Sequence, residues 1–472
     1  MPRKYPTACL LTSLRPIASL SPMANDYPPS SAPRGASGEK SEAQAASAGL
    51  ARRLQWLREA RLGMFIHWGL YSMPARHEWV KQRERLDDAA YDRYFRHFDP
   101  DLFDPTVWAR HAAQAGMKYV VVTTKHHEGF CLWDSALTGY KATNTPARRD
   151  LLRPIIDAFR AEGLRIGLYH SLLDWHHPDF PIDGMHPQRD DTEAIAAARG
   201  RDVSKYADYL HGQVEELLTQ FGQIDLLWFD FSYPQRVWGG KGREDWRSEE
   251  LLARVRELQP DVIVNDRLDI PGDVTTPEQY QPAAPMAGAE GLWEACQTLN
   301  GSWGYDRDNL DWKPADMLVR MLVDGVSKGG NLLLNVGPNA RGRLEPRAVS
   351  VLEALGEWTS LHGRSIYGAG PSELVPPPDC RFTRAGDRLY VHLFAWPFGH
   401  LHLRGLAGRV EYAQLLNDGS EIRMEVIDPH EQAQNTKLGG IGEGTLTLKL
   451  PVQRPGVAVP VIELFLREPD RA

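Results

Sequence analysis

From Leu62 to about Trp358, short apolar runs alternate with segments whose apolar residues recur every three or four positions. The first pattern predicts buried β-strands and the second predicts amphipathic helices. The strand-like runs are Leu62–Tyr71, Lys118–Thr124, Leu164–His170, Ile224–Phe229, Asp261–Asn265 and Asn331–Val336. The helical patterns are Thr106–Ala115, Leu151–Glu162, Asp202–Gln220, Ser248–Leu258, Met317–Lys328 and Arg347–His362. Gly116, Gly163, Gly222, Pro260 and Gly329 fall where these helices should stop. Repeated βα units imply a parallel sheet, and strands apolar on both faces imply that both faces are covered. That periodicity fits an open doubly wound sheet as well as a closed (β/α)8-like, TIM-type barrel. The barrel is favoured because polar residues gather directly after several different strands, where active sites form on that fold.

The texture changes from about Gly368. Pro376-Pro377-Pro378 marks a linker, and short alternating strands follow at Arg388–Ala395, up to Leu416, at Thr445–Leu450 and at Val461–Leu466. Asn417-Asp418-Gly419 is a hairpin signal. These features predict a small C-terminal antiparallel β-sandwich. Residues 23–48, rich in Pro, Ser, Ala and Gly, predict a disordered tail. Residues 1–22 open with Arg3 and Lys4 and carry a short apolar patch around Cys9–Leu11, broken by Arg15 and Pro16. That is a weak targeting segment. The expected organisation is a tail over 1–48, a barrel over 49–365 and a sandwich over 366–472.

Charge and composition narrow the function. Lys plus Arg number 54 against 62 Asp plus Glu, a net charge of −8 with no basic run, which argues against nucleic acid or an anionic membrane as partner. No apolar stretch approaches the ~20 residues of a membrane span. Cys9, Cys131, Cys296 and Cys380 form no C-x-x-C pair, so neither a zinc knuckle nor a disulfide framework is indicated. Cytoplasmic, periplasmic and secreted locations all stay open, as does assembly into a homo-oligomer. The 14 tryptophans would suit stacking on pyranose rings, although buried barrels also use the residue.

Five strand ends carry the candidate chemistry: His67-Trp68, Lys125-His126-His127-Glu128, Tyr169-His170, Asp230 and Asn265-Asp266-Arg267. Asp230 ends the most apolar strand, where a carboxylate needs a partner to stay ionised. Arg267 after the next strand can supply it. An ionised, oriented carboxylate suits a nucleophile; a structural ion pair is the plainer reading. A second carboxyl could come from Glu78, Glu128, Glu278 or Glu294, and two carboxyls about 5–5.5 Å apart would define a retaining glycosidase. A rival reading makes His126, His127, Asp174, His176, His177 and Asp179 metal ligands. Against it, adjacent histidines in an extended strand should face opposite ways, and no H-x-H opens the first strand. Histidines that hydrogen-bond sugar hydroxyls account for the set without a metal.

The segments GMFIHWGLYSMPARHEW, YVVVTTKHHEGFCLWDS, IDLLWFD, TPEQY, WEACQTLNGSWGY and SKGGNLLLNVGP resemble, in this order, the family 29 α-L-fucosidases over about residues 50–365. The resemblance implies a (β/α)8-like catalytic domain, an exo-acting retaining mechanism, no metal and no cofactor. The implied substrate is a fucosylated oligosaccharide or glycoconjugate. It places Asp230 as the nucleophile and Arg267 as its partner. His67, Glu78, Trp79, His126, His127, Tyr169 and Trp228 fall at the positions that contact fucose. Trp303 falls on the apolar wall facing the sugar's methyl group. The long tail departs from the family, as does GLWEAC, where many relatives carry Lys before the Trp. Two glutamates compete for the acid/base role. Spacing from Arg267 and on to Trp303 resembles bacterial members with the acid at Glu278, which Pro277 stiffens; W-E-x-C resembles the site proposed for animal members and points to Glu294. The acid should come from a mobile or loop-borne segment beyond the next strands, for which both glutamates qualify, and Glu278 is preferred on the spacing that resembles bacterial members. A non-catalytic fucose-binding relative on the same scaffold is the alternative; Asp230 and both glutamates are present, which favours the enzyme.

Overall fold

The computed structural model describes residues 36–235, 239–286, 292–427, 432–433, 436–437 and 441–467. The chain divides into two units, Met1–Ala48 and Gly49–Ala472. In the second unit, strands β1 (Leu62–Ile66), β2 (Tyr119–Lys125), β3 (Arg165–Ser171), β4 (Leu226–Asp230), β5 (Ile263–Val264), β6 (Glu294–Thr298) and β7 (Asn331–Val336) form one sheet. Its order is β5-β4-β3-β2-β1-β7-β6, and every neighbouring pair is parallel. The residues between β5 and β6 join the two edges. Val274 bridges Asn265, Thr275 bridges Trp293 and Glu278 bridges Cys296, all in parallel sense. Glu294 N–H donates to Thr275 O at 2.8 Å and Cys296 N–H to Pro277 O at 3.1 Å. Val274–Glu278 is thus an irregular eighth stave that closes the ring. It stays irregular because Pro277 has no N–H to give and Gln279 turns away with φ 49°.

Helices cover the outside: α1 (Ala36–Ala60), α2 (Val80–Arg83), α3 (Asp88–His97), α4 (Pro105–Gln114), α5 (Leu152–Ala161), α6 (Thr192–Ala197), α7 (Val203–Gln220), α8 (Arg243–Trp246), α9 (Ser248–Leu258), α10 (Ala315–Ser327) and α11 (Pro346–His362). Those predicted from periodicity end within two residues of their expected bounds. Residues 36–48, within the expected tail, form the first half of α1, and the first unit ends at Ala48, where the tail was expected to end. Residues 1–35, with the weak targeting segment, lie outside the described residues. Leu54 and Leu57 of α1 are buried with Tyr119, Leu226, Ile263 and Leu333, and Asn331 Nδ2 donates to Leu57 O at 2.7 Å. Tyr119 and Leu226 begin their strands, so residues 49–60 of α1 cover the N-terminal mouth of the barrel and leave the C-terminal mouth open.

Beyond the barrel, β8 (Cys380–Ala385), β9 (Arg388–Leu393), β10 (His400–Arg404), β11 (Val410–Leu415), β12 (Arg423–Glu425), β13 (Gln432–Ala433), β14 (Thr436–Lys437), β15 (Thr445–Lys449) and β16 (Val461–Leu466) pair antiparallel. Two sheets, β11-β16-β9-β8 and β10-β15-β12, enclose one apolar core, and β13-β14 is a separate hairpin. The Asn417-Asp418-Gly419 turn forms as expected, with Gly419 at φ 72° and its N–H on Leu415 O at 2.9 Å. Arg381 Nε reaches Asp324 Oδ1 at 2.7 Å and Trp358 Nε1 reaches Val459 O at 3.0 Å, so the sandwich is tied to α10 and α11. Among the described residues, no helix is long and apolar enough to cross a membrane.

Candidate active site

A cleft of about 100 Å³ opens at the C-terminal mouth of the barrel, lined by Phe65, His67, Trp79, His126, His127, Tyr169, Trp228, Asp230, Phe231, Arg267, Glu278, Cys296 and Trp303. Strand parity explains much of the set. Residues two apart on one strand share a face, so Phe65 and His67, or Trp228 and Asp230, point into the barrel together. His170 lies on the opposite face from Tyr169 and is buried, with its Nδ1 2.9 Å from Thr124 Oγ1.

Asp230 is held at both oxygens. Tyr169 OH donates to Oδ2 at 2.8 Å, and Arg267 Nη1 donates to Oδ1 at 2.8 Å. The same Nη1 donates to Glu278 Oε2 at 2.8 Å. The Arg267 guanidinium lies 4.5 Å from the centre of the Trp228 ring. Asp230 retains 13% side-chain exposure, whereas Glu278, on the irregular stave at the mouth, retains 43%. Phe231, directly after Asp230, sits in the left-handed region at φ 76° and packs against Trp79 and His127, at centroid distances of 5.2 and 5.3 Å. A bulky residue in that conformation is strained and marks a backbone shaped by its site.

His67 and His127 are neutral acceptors whose tautomers follow from their neighbours. Asn335 Nδ2 donates to Trp303 O at 2.7 Å, so Asn335 Oδ1, 2.7 Å from His67 Nδ1, accepts from the ring. Ser171 Oγ–H donates to Leu173 O at 2.9 Å, so His127 Nδ1–H must donate to Ser171 Oγ at 2.6 Å. Burial, with a smaller push from His126, holds both rings well below the ordinary histidine pKa. Each keeps a bare Nε2 lone pair, and that of His127 lies 3.8 Å from Asp230 Oδ2.

His126 and His127 both line the cleft, with ring centroids 4.0 Å apart, against the expectation of opposite faces. They lie past the end of β2, where Gly129 N–H closes a turn onto His126 O at 3.0 Å, and strand alternation no longer applies. The other residues of the metal reading are dispersed. Asp174 pairs with buried Lys125 at 3.3 Å, His176 stacks on Tyr140 at 3.8 Å, and His177 packs on Tyr209 at 4.3 Å. Among the described residues, no three His, Cys, Asp or Glu side chains converge so as to hold a metal.

Two carboxyls lie behind the cleft. Glu78 Oε2 accepts from Trp303 N at 3.1 Å and Gly304 N at 2.8 Å, fixing the loop that carries Trp303. Its Oε1 lies 3.0 Å from His77 Nδ1, which already accepts from Trp79 N at 3.1 Å. Two acceptors face each other unless Glu78 holds a proton, in keeping with burial lifting its pKa to about 7. Glu294, on β6, is fully buried inside the barrel. It accepts from Trp228 Nε1 at 3.1 Å and from Tyr119 OH. Burial lifts its pKa to about 7. Phe65, Phe231, Cys296, Asn335 and Ser171 had not been singled out from sequence. Parity with His67 could have found Phe65, and Asn335 lies within the SKGGNLLLNVGP segment.

The family profile described as Alpha-L-fucosidase matches residues 32–364, well over half of the chain. This chain belongs to the α-L-fucosidase family. Among curated members, tissue α-L-fucosidase of Bos taurus is 31% identical over 378 residues, covering 74% of this chain and 76% of that protein. The α-L-fucosidase of Dictyostelium discoideum is 30% identical over 443 residues, covering 86% of this chain and 88% of its own. Among solved members, α-L-fucosidase isoenzyme 1 from Paenibacillus thiaminolyticus superposes with a TM-score of 0.82 at 46% identity, covering 89% of this chain and all of that one. A family 29 α-L-fucosidase from Bacteroides thetaiotaomicron, trapped as a covalent intermediate with 2-fluoro-fucosyl fluoride, gives 0.75 at 29% identity, covering 88% of this chain and 96% of that one.

Proposed function

We propose that this protein is a retaining exo-α-L-fucosidase. It hydrolyses terminal α-L-fucose from fucosylated oligosaccharides or glycoconjugates by double displacement through a covalent fucosyl-enzyme. The observation that carries the reading is the shared guanidinium. Asp230 Oδ1 and Glu278 Oε2 each lie 2.8 Å from Arg267 Nη1, which caps their separation at twice that, 5.6 Å. Retaining glycosidases place their carboxyls about 5–5.5 Å apart, whereas inverting ones leave about 6.5–9.5 Å for a water.

Asp230 acts as the nucleophile. Tyr169 and Arg267 fix both of its oxygens, so the attacking lone pair is oriented before the sugar arrives. Glu278 protonates the glycosidic oxygen and then, as base, takes a proton from the water that hydrolyses the intermediate. Its exposure at the mouth supports this role, since leaving group and water both pass there. Glu294 touches Tyr119 and Trp228 inside the barrel and is absent from the cleft lining, which counts against it as the acid. The Nε2 lone pairs of His67 and His127 accept from sugar hydroxyls. Trp79, Trp228 and Trp303 supply apolar faces for the ring and its methyl group.

The test follows 4-nitrophenyl α-L-fucoside. Release of 4-nitrophenol separates an enzyme from a fucose-binding relative, and proton NMR of the first sugar formed should show the α anomer; initial β anomer would refute double displacement. With an activated aryl fucoside, Glu278→Gly should keep fast fucosylation and be accelerated by azide, which needs no base. Azide rescue of Glu294→Gly instead would reverse the acid/base assignment.

A further inference from the structure

We propose that Glu294 is a positioning residue: through the indole of Trp228 it holds Arg267, and with Arg267 both reacting carboxyls, in register. The proposal rests on the reading above, in which Asp230 and Glu278 are the reacting pair. Its basis is a chain of contacts that starts inside the barrel. Trp228 is buried, and its Nε1–H donates to Glu294 Oε1 at 3.1 Å. A buried indole N–H needs an acceptor, and this bond fixes the ring against rotation. Phe65 and Tyr169 complete the clamp, with ring centroids 5.2 and 6.0 Å from Trp228. The face so fixed carries the Arg267 guanidinium at 4.5 Å, and Arg267 Nη1 reaches Asp230 and Glu278. The far oxygen of Glu294 is tied to Tyr119 OH, so its carboxyl cannot swing away from the indole.

The role requires an acceptor of this shape and requires neither a charge nor a transferable proton. Glutamine supplies the same acceptor, and its amide can donate to the Tyr119 oxygen. Glu294→Gln should therefore keep kcat/KM within about threefold and show no acceleration by azide. Glu294→Met keeps the volume, removes the acceptor and should lower kcat/KM at least tenfold. Trp228→Phe removes the N–H and should cause a comparable loss. Because both changes break one link, the double variant Glu294→Met/Trp228→Phe should be no worse than the weaker single variant. Losses that multiply in the double variant would overturn the proposal, as would azide rescue of Glu294→Gln or a hundredfold loss in it. Should Glu294→Met prove too unstable to isolate, the other two single variants decide: loss in Trp228→Phe with retention in Glu294→Gln supports the link, and full activity of Trp228→Phe overturns it. Absence of azide rescue in Glu278→Gly would sink the acid/base reading, whereas a multiplicative cycle beside a rescued Glu278→Gly would sink only the positioning role.

Discussion

Replacing Glu294 by glutamine should make the folded protein more tolerant of alkaline conditions, by an amount the structure sets. Burial lifts this carboxyl from an ordinary value near 4.5 to about 7, against the smaller opposing pull of hydrogen bonds from Tyr119 and Trp228. The folded state therefore keeps its proton at pH values where the unfolded chain has lost it. For an acid whose folded pKa is raised, the contribution to stability is greatest below about 4.5 and is lost as pH climbs through about 7. A change from 4.5 to about 7 corresponds to about 3 kcal/mol, most of which falls between pH 5 and pH 8. Glutamine has no proton to lose, so the variant should gain roughly 2 to 3 kcal/mol on the wild type across that interval. Urea unfolding of both proteins at pH 5 and pH 8, followed by tryptophan fluorescence, gives the double difference with every other titrating group cancelled. A gap that does not change with pH, or a wild type that gains on the variant as pH rises, would refute the reasoning.

Asp230→Gly should cut turnover of the aryl fucoside by about three to six orders of magnitude, since the loss of a nucleophile removes the covalent route; an unchanged circular dichroism spectrum would show that the barrel survives, and residual activity above a hundredth would exclude Asp230 as nucleophile. Prolonged EDTA treatment should leave activity intact, because the cleft histidines act as hydrogen-bonding groups; loss that zinc restores would bring back the metal reading.

The sequence alone determined the repeating βα order, the position of most helices and the antiparallel texture after Gly368. All of these are local: apolar periodicity, glycine stops and turn residues act within a few positions. It also marked Asp230, Arg267 and the histidines, because polar residues at the ends of apolar strands stand out against their surroundings. Three matters needed the tertiary structure. β6 reads EACQT because it turns polar side chains into the barrel, so its pattern hid a strand. The eighth stave, Val274–Glu278, is defined only by bridges to segments on either side of it. The two competing glutamates looked equivalent as letters, each beside Pro277 or Trp293. Closure of the ring placed Glu278 at the exposed mouth on the guanidinium it shares with Asp230, and turned Glu294 inward to the indole of Trp228. Which of two carboxyls meets solvent depends on contacts between residues far apart along the chain, and no local pattern carries that information.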